Sequence, residues 1–157
     1  MEGNPITPAG MAAMRARYDA LLHGDRPAIV EVVRWAAGNG DRSENGDYIY
    51  GRKRLREIDR ELGHLAKRMT AARVVDPARQ TERDMVLFGC TVEIADDDDS
   101  RRTLKLVGDD EQDAALALIG WSAPIARALR GARVGDVRVV RLPSGEKNWE
   151  VLAIRWD

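Results

Sequence analysis

Residues 38–62 read Gly38-Asn39-Gly40-Asp41-Arg42-Ser43-Glu44-Asn45-Gly46-Asp47-Tyr48-Ile49-Tyr50-Gly51-Arg52-Lys53-Arg54-Leu55-Arg56-Glu57-Ile58-Asp59-Arg60-Glu61-Leu62. The run opens on a strong helix stop, Gly38-Asn39-Gly40. From near Glu44 a helical pattern begins: Tyr48, Leu55, Ile58, Leu62, Leu65, Met69 and Ala72 fall on one seam at heptad spacing, with Gly51 its weak member. A stop, a short polar turn and a heptad seam predict the second arm of a helical hairpin.

The first arm lies upstream. Thr7-Pro8 reads as an N-cap followed by proline at the first helical position. Apolar residues recur at Met11, Met14, Tyr18 and Leu21, then again at Ile29, Val32, Val33 and Ala36. Between them Gly24-Asp25-Arg26-Pro27 predicts a kink or a restart, because proline removes a backbone donor. Two such arms joined by a short loop pack antiparallel as a coiled coil, and an arm of about 27 residues reaches roughly 40 Å.

Downstream, Pro77 closes the rod and the period changes to short β-like runs at residues 85–94, 102–107, 137–142 and 149–156. Asp96-Asp97-Asp98-Asp99 and Pro143-Ser144-Gly145 mark turns, and one helix at about 123–130 ends on Gly131. The predicted fold is α+β: an N-terminal antiparallel coiled-coil hairpin over residues 1–77, then a small α+β domain over 78–157.

Composition agrees. Of 157 residues 44% are hydrophobic and 32% charged, with 5% aromatic, a balance that suits a long solvated hairpin better than a compact globule. The net charge of -1 gives no global attraction to nucleic acid. A single cysteine, Cys90, excludes an internal disulfide and a multi-cysteine zinc site; within Val86-Leu87-Phe88-Gly89-Cys90-Thr91-Val92 it reads as a buried, inert thiol. The N-terminus has no basic-then-apolar secretion pattern, and no window approaches the roughly 20 apolar residues of a membrane span, so a cytoplasmic protein is expected.

Chemistry concentrates at the predicted tip. Asp41, Glu44 and Asp47 bring three carboxylates within seven residues at the end of a long support. Oxygen ligands so mounted suit a hard cation such as Mg²⁺, though this loop is too poor in other ligands to hold one alone. The plainer reading is that Asp41 and Glu44 cap the second helix. An EF-hand is excluded: the loop opening at Asp41 would need a bidentate glutamate at its twelfth position and has Arg52 there.

Behind the tip the second helix carries Arg52, Lys53, Arg54, Arg56, Arg60, Lys67, Arg68 and Arg73 against Glu57, Asp59 and Glu61. Arg52, Arg56 and Arg60 stack at i, i+4 and i+8, a stripe that fits phosphates; the alternative is an ordinary solvated flank with internal ion pairs. Acid at the tip and base along the shaft suit metal chemistry on a polyanion. His23 and His64 have no partner at ligand spacing, Ser144 has no nearby histidine, and Trp149 and Trp156 read as core.

These motifs resemble the Gre transcript-cleavage factor family, GreB type. The tip Gly40-Asp41-Arg42-Ser43-Glu44-Asn45 with Tyr48 is similar to the Gre tip motif. Arg52-Lys53-Arg54-Leu55-Arg56-Glu57-Ile58-Asp59 looks like the basic helix of the GreB branch. Val107-Gly108-Asp109-Asp110-Glu111, Ala123-Pro124-Ile125-Ala126-Arg127-Ala128-Leu129 and Val134-Gly135-Asp136 are similar to its C-terminal domain. The family usually has alanine where this chain has Gly46, and Asp-Ser-Pro where it has Ser122-Ala123-Pro124.

The resemblance implies an FKBP-like second domain that docks on bacterial RNA polymerase through the turn of Ser122, Ala123 and Pro124. The hairpin would then enter the secondary channel. Asp41 and Glu44 would help hold a second Mg²⁺, shared with polymerase and present only in the complex. Arg52, Lys53, Arg56 and Arg60 would steer the extruded 3′ end of the nascent RNA. The expected protein is a monomer that stimulates polymerase's own cleavage activity, with no membrane contact. Rival readings are a non-cleaving channel binder, which would alter the tip acids, and a peptidyl-prolyl isomerase, which needs an aromatic-lined pocket in a half that has no tyrosine. A bare structural coiled coil leaves the attached domain unexplained.

Overall fold

The computed structural model describes residues 3–40 and 44–156. In chain order these form β1 (Asn4–Ile6), α1 (Pro8–Ala20), a π-helical turn (Leu21–Asp25), α2 (Arg26–Ala37), α3 (Gly46–Ala71), β2 (Ala72–Val74), β3 (Thr91–Ala95) and β4 (Arg101–Val107). Then come β5 (Leu118–Gly120), α4 (Pro124–Leu129), β6 (Val137–Leu142) and β7 (Gly145–Arg155). A helical hairpin followed by a β-rich half makes the fold α+β.

The chain divides into two compact units: Ala12–Ala71, and the residues up to Met11 together with those from Ala72 onward. This differs from a boundary at 77, and strand pairing is the reason. β1 runs parallel to β2 with Asn4 opposite Ala72, Pro5 opposite Arg73 and Ile6 opposite Val74. The Val75 N–H extends the ladder to the Ile6 carbonyl at 2.8 Å. Ala72, expected to end the helical seam, instead begins β2.

Glu111 fastens the same N-terminal segment. Its carboxylate accepts from the Thr7 N–H at 3.0 Å, from the Thr7 hydroxyl, and from the Gly108 N–H at 2.8 Å. Thr7 meanwhile caps α1 as predicted, its Oγ1 accepting from the Gly10 N–H at 3.1 Å.

In the hairpin unit, the interruption before Pro27 becomes a widened turn. The Arg26 N–H reaches back five residues to the Leu21 carbonyl, so the helix passes the proline without breaking. Leu21, Ile58 and Leu62 are buried, with Tyr18, Leu22, Ile29 and Leu65 packed around them. Gly51 is also buried, and a Cβ added there would lie 2.8 Å from Val33 Cγ2. The weak member of the seam is a place where α2 packs tightly on α3.

In the globular unit, five strands order as β5-β4-β3-β7-β6. All neighbours are antiparallel except β4 and β5, and the β3–β7 register shifts between Glu93 and Ile94. Val92, Ile94, Leu104, Leu106, Val140, Trp149 and Val151 of the sheet close with Ala126 and Leu129 of α4 over a single core. Burial also takes Cys90 and pushes its thiol up to about 11, the inert state expected.

The run at residues 85–94 is a strand only from Thr91. Gly89 sits at φ +90°, against Pro77, and the Val86 N–H and carbonyl pair with Ala132 and Gly131 rather than with a strand. Trp149 is core, while Trp156 packs at its margin and donates Nε1–H to the Arg83 carbonyl at 3.1 Å. His23 and His64 are exposed. No helix among the described residues is long and apolar enough to cross a membrane.

Candidate functional site

The tip of the hairpin is built by one side chain that joins two helix ends. Asn45 precedes α3, and its Oδ1 accepts from the Tyr48 N–H at 3.2 Å, satisfying a donor of the first turn. Its Nδ2 donates to the Ala36 carbonyl at 2.7 Å, satisfying an acceptor near the end of α2. Asp47 in the first turn of α3 stands where the helix dipole favours an acid.

The cap is therefore Asn45 and not Glu44, which stands one residue earlier and is exposed. Helix capping does not account for Glu44. Asp41, the other acid assigned to the tip, lies outside the described residues, as do Arg42 and Ser43. Among the described residues no three His, Cys, Asp or Glu side chains gather as a metal-binding group.

On the shaft, Arg52, Lys53, Arg56 and Arg60 are all exposed. Three acids farther along α3 are engaged by other arginines. Asp59 accepts from Arg26 of α2 at 2.7 Å, and Glu61 accepts from Arg17 of α1 at 2.8 and 3.0 Å. Glu57 lies 3.6 Å from Arg54, which also faces Asp25 at 3.6 Å. The bidentate bond from Arg17 holds the Glu61 carboxyl below its ordinary value. Among the described residues, no carboxylate pairs with Arg52, Lys53, Arg56 or Arg60. Among the described residues the stripe is a run of cations without partner carboxylates and not one half of an ion-pair ladder.

In the globular unit the turn at Ser122, Ala123 and Pro124 leads from β5 into α4. The Ser122 N–H donates to Asp109 Oδ1 at 2.8 Å, and the Ala123 N–H to the Gly120 carbonyl at 2.9 Å. Ala123 offers α4 no side-chain cap, and Pro124 fills the first helical position, where a missing N–H does no harm. Pro124 and Ile125 also line a cleft of about 540 Å³ with Val140, Leu142 and Trp149. Trp149 is the single aromatic residue on that lining, far from the aromatic pocket an isomerase would need.

Family models match both halves: "Transcription elongation factor, N-terminal" over residues 4–74, and "Transcription elongation factor, GreA/GreB, C-term" over residues 80–155. The chain belongs to the GreA/GreB transcription elongation factor family. Transcription elongation factor GreB of Neisseria meningitidis serogroup B is 49% identical over 153 residues, covering 98% of this chain and 94% of that protein. GreB of Yersinia pestis is 42% identical over 155 residues, covering 99% of this chain and 90% of that protein. Among solved structures, the transcription factor Gfh1 aligns at 19% identity and TM-score 0.46, covering 97% of each chain. A GreA/GreB elongation factor from Nitrosomonas europaea aligns at 17% identity and TM-score 0.43.

Within this family setting the sequence identified the exposed Glu44 and the four exposed cations, and missed the double role of Asn45. Asparagine directly before a helical run is itself a capping signal, which the neighbouring carboxylates obscured.

Proposed function

We propose that this elongation factor binds bacterial RNA polymerase at its secondary channel and stimulates endonucleolytic cleavage of backtracked nascent RNA, without being a nuclease itself. The observation that carries the reading is the charge pattern of α3. Arg17, Arg26 and Arg54 engage Glu61, Asp59 and Glu57, leaving Arg52, Lys53, Arg56 and Arg60 for a polyanion, with the exposed Glu44 beyond them.

The chain's residues divide the work. The turn of Ser122, Ala123 and Pro124 docks the globular unit on polymerase. The four cations guide the extruded 3′ segment, and their charge lowers the cost of holding phosphates in one channel. Asn45 locks the helix ends so that Glu44 is presented by a rigid support and not by a fraying terminus. Carboxylate oxygens fit Mg²⁺, and Glu44 is not tied up in capping, so Glu44 and Asp41 would hold the ion jointly with polymerase carboxylates. So bound, Mg²⁺ supplies charge neutralisation at the scissile phosphate and an acidified water. The same reading has the protein act as a monomer in the cytoplasm.

The test is cleavage by stalled complexes backtracked to different depths, at two salt concentrations. Asp41→Ala and Glu44→Ala are each expected to abolish stimulation while leaving polymerase binding intact. Joint reversal of Arg52, Lys53 and Arg56 to Glu is expected to slow cleavage most at the greatest depth. Its salt dependence should fall by a slope of about 0.7 per lost phosphate contact. Wild-type rates from Glu44→Ala, or cutting of free RNA without polymerase, would sink the proposal.

A further inference from the structure

Helix α4 and its C-cap residue carry two arginines, Arg127 and Arg130, that the docking turn leaves unused. Arg127 and Arg130 lie one turn apart and line a notch of about 560 Å³ with Trp121, Ser122, Asn4 and Pro5, all within the globular unit. The Arg130 guanidinium lies 4.0 Å from the centroid of the Trp121 ring and donates Nη2–H to the Trp121 carbonyl. Its plane is thereby fixed. Its Nε is buried and without a hydrogen-bond partner, alone in this among the described side chains.

An unmet buried donor is costly, and more so on a cation, so a native structure that keeps one calls for an explanation. Burial and the like charge of Arg127 push the Arg130 guanidinium down from its ordinary value, with Asp109 opposing. Among the described residues no carboxylate forms an ion pair with either arginine. Two cations crowd a notch whose own walls supply no partner anion.

We infer that the notch receives the carboxylate of an aspartate or glutamate side chain on the polymerase surface met by the docking turn. The inference rests on the polymerase-docking reading and specifies one contact within it. A guanidinium fork matches the two oxygens of a carboxylate, and stacking on Trp121 reduces the freedom Arg130 loses on binding. A phosphate fits less well. The Ser122, Arg127 and Arg130 N–H groups are bonded to Asp109, Ala123 and Ala126, and Pro5 has none, so these four lining residues lend no backbone amide to a third oxygen. The Asp109 carboxylate nearby also opposes a dianion.

The test measures affinity of the full chain for core RNA polymerase at two salt concentrations. Arg127→Glu alters an exposed residue and is expected to leave thermal melting unchanged while weakening binding by about tenfold or more. Arg130→Lys keeps the charge but loses the fork, and is expected to weaken binding about threefold or more. At matched ionic strength, acetate is expected to compete at least as well as inorganic phosphate. If both variants bind like wild type while Ser122→Arg weakens binding, the notch is idle and the docking reading stands. If wild type does not bind polymerase, both fall. Competition by phosphate well beyond that by acetate would overturn the carboxylate assignment.

Discussion

In the hairpin unit three buried side chains, Leu21, Ile58 and Leu62, make up the packed cluster, with the half-buried Tyr18, Leu22, Ile29 and Leu65 around them. In the globular unit twelve buried residues from strands, loops and α4 close around one another. The sheet is held by long-range contacts that no single side chain dominates. The hairpin depends on a few points: a short apolar stretch near Ile58, a close approach at Gly51, the Asn45 bridge and the arginine pairs on its flank. The difference teaches where each unit tolerates change. A presented surface needs only enough core to keep two helices together, which frees the rest of α3 for charges that contribute little to folding.

The largest effect expected from testing that contrast is a cavity in each core. Leu106→Ala, at a site with no exposed area, should lower the stability of the globular unit by about 3–5 kcal/mol, whereas Leu62→Ala, at 8% exposure, should cost the hairpin about 2–3 kcal/mol. Amide hydrogen exchange on the full chain separates the two, because each loss should appear in one unit's amides first. Uniform loss of protection in both variants would mean that the units unfold as one.

Smaller effects come from the glycines of α3. Gly51→Ala should destabilise the hairpin by about 1–3 kcal/mol, because the new methyl group meets Val33. Gly63→Ala, with nothing within 4 Å of the added carbon, should stabilise it by up to about 1 kcal/mol. Opposite signs in thermal melting of the two variants are the expected result, and equal stabilisation would remove the close approach at Gly51.

The smallest effect is electrostatic. Glu61 is held below its ordinary value by Arg17, so it binds a proton more readily when unfolded than when folded. Its contribution is complete above the unfolded value of about 4.3 and is lost as pH falls through the lowered folded value. Glu61→Gln should therefore flatten the acid limb of hairpin stability while leaving the globular unit's limb in place. A wild-type acid limb in that variant would show that the pair adds nothing measurable.

How much could be read from sequence depended on how local each cause was. The heptad seam from Tyr48 to Met69, the Thr7 cap and the strands at 101–107 and 137–142 all follow from neighbours within a few residues, and all were legible. β5 was not: its three residues are a strand because β4 supplies a parallel partner. Nor was β1, whose partner lies about 68 residues away in sequence at Ala72. Gly51 looked like a defect because its neighbour Val33 belongs to the other helix. At the candidate site the residue types and spacing of Glu44, Arg52, Lys53, Arg56 and Arg60 were plain, but which arginines would be neutralised was not.

Periodicity, capping chemistry and charge spacing thus determined, from the sequence by itself, that this chain forms a helical hairpin with an acidic tip and a basic shaft ahead of a mixed domain. These are local properties, fixed by side chains three or four residues apart on one helix. Tertiary structure alone decided that Arg17 and Arg26 would reach across to Glu61 and Asp59, that Asn45 would also tie α3 to the Ala36 carbonyl of α2, and that Arg130 would lie against Trp121 with a donor unmet. Those outcomes depend on which faces meet when the elements pack. A sequence specifies a charge, but only packing specifies whether that charge already has a partner.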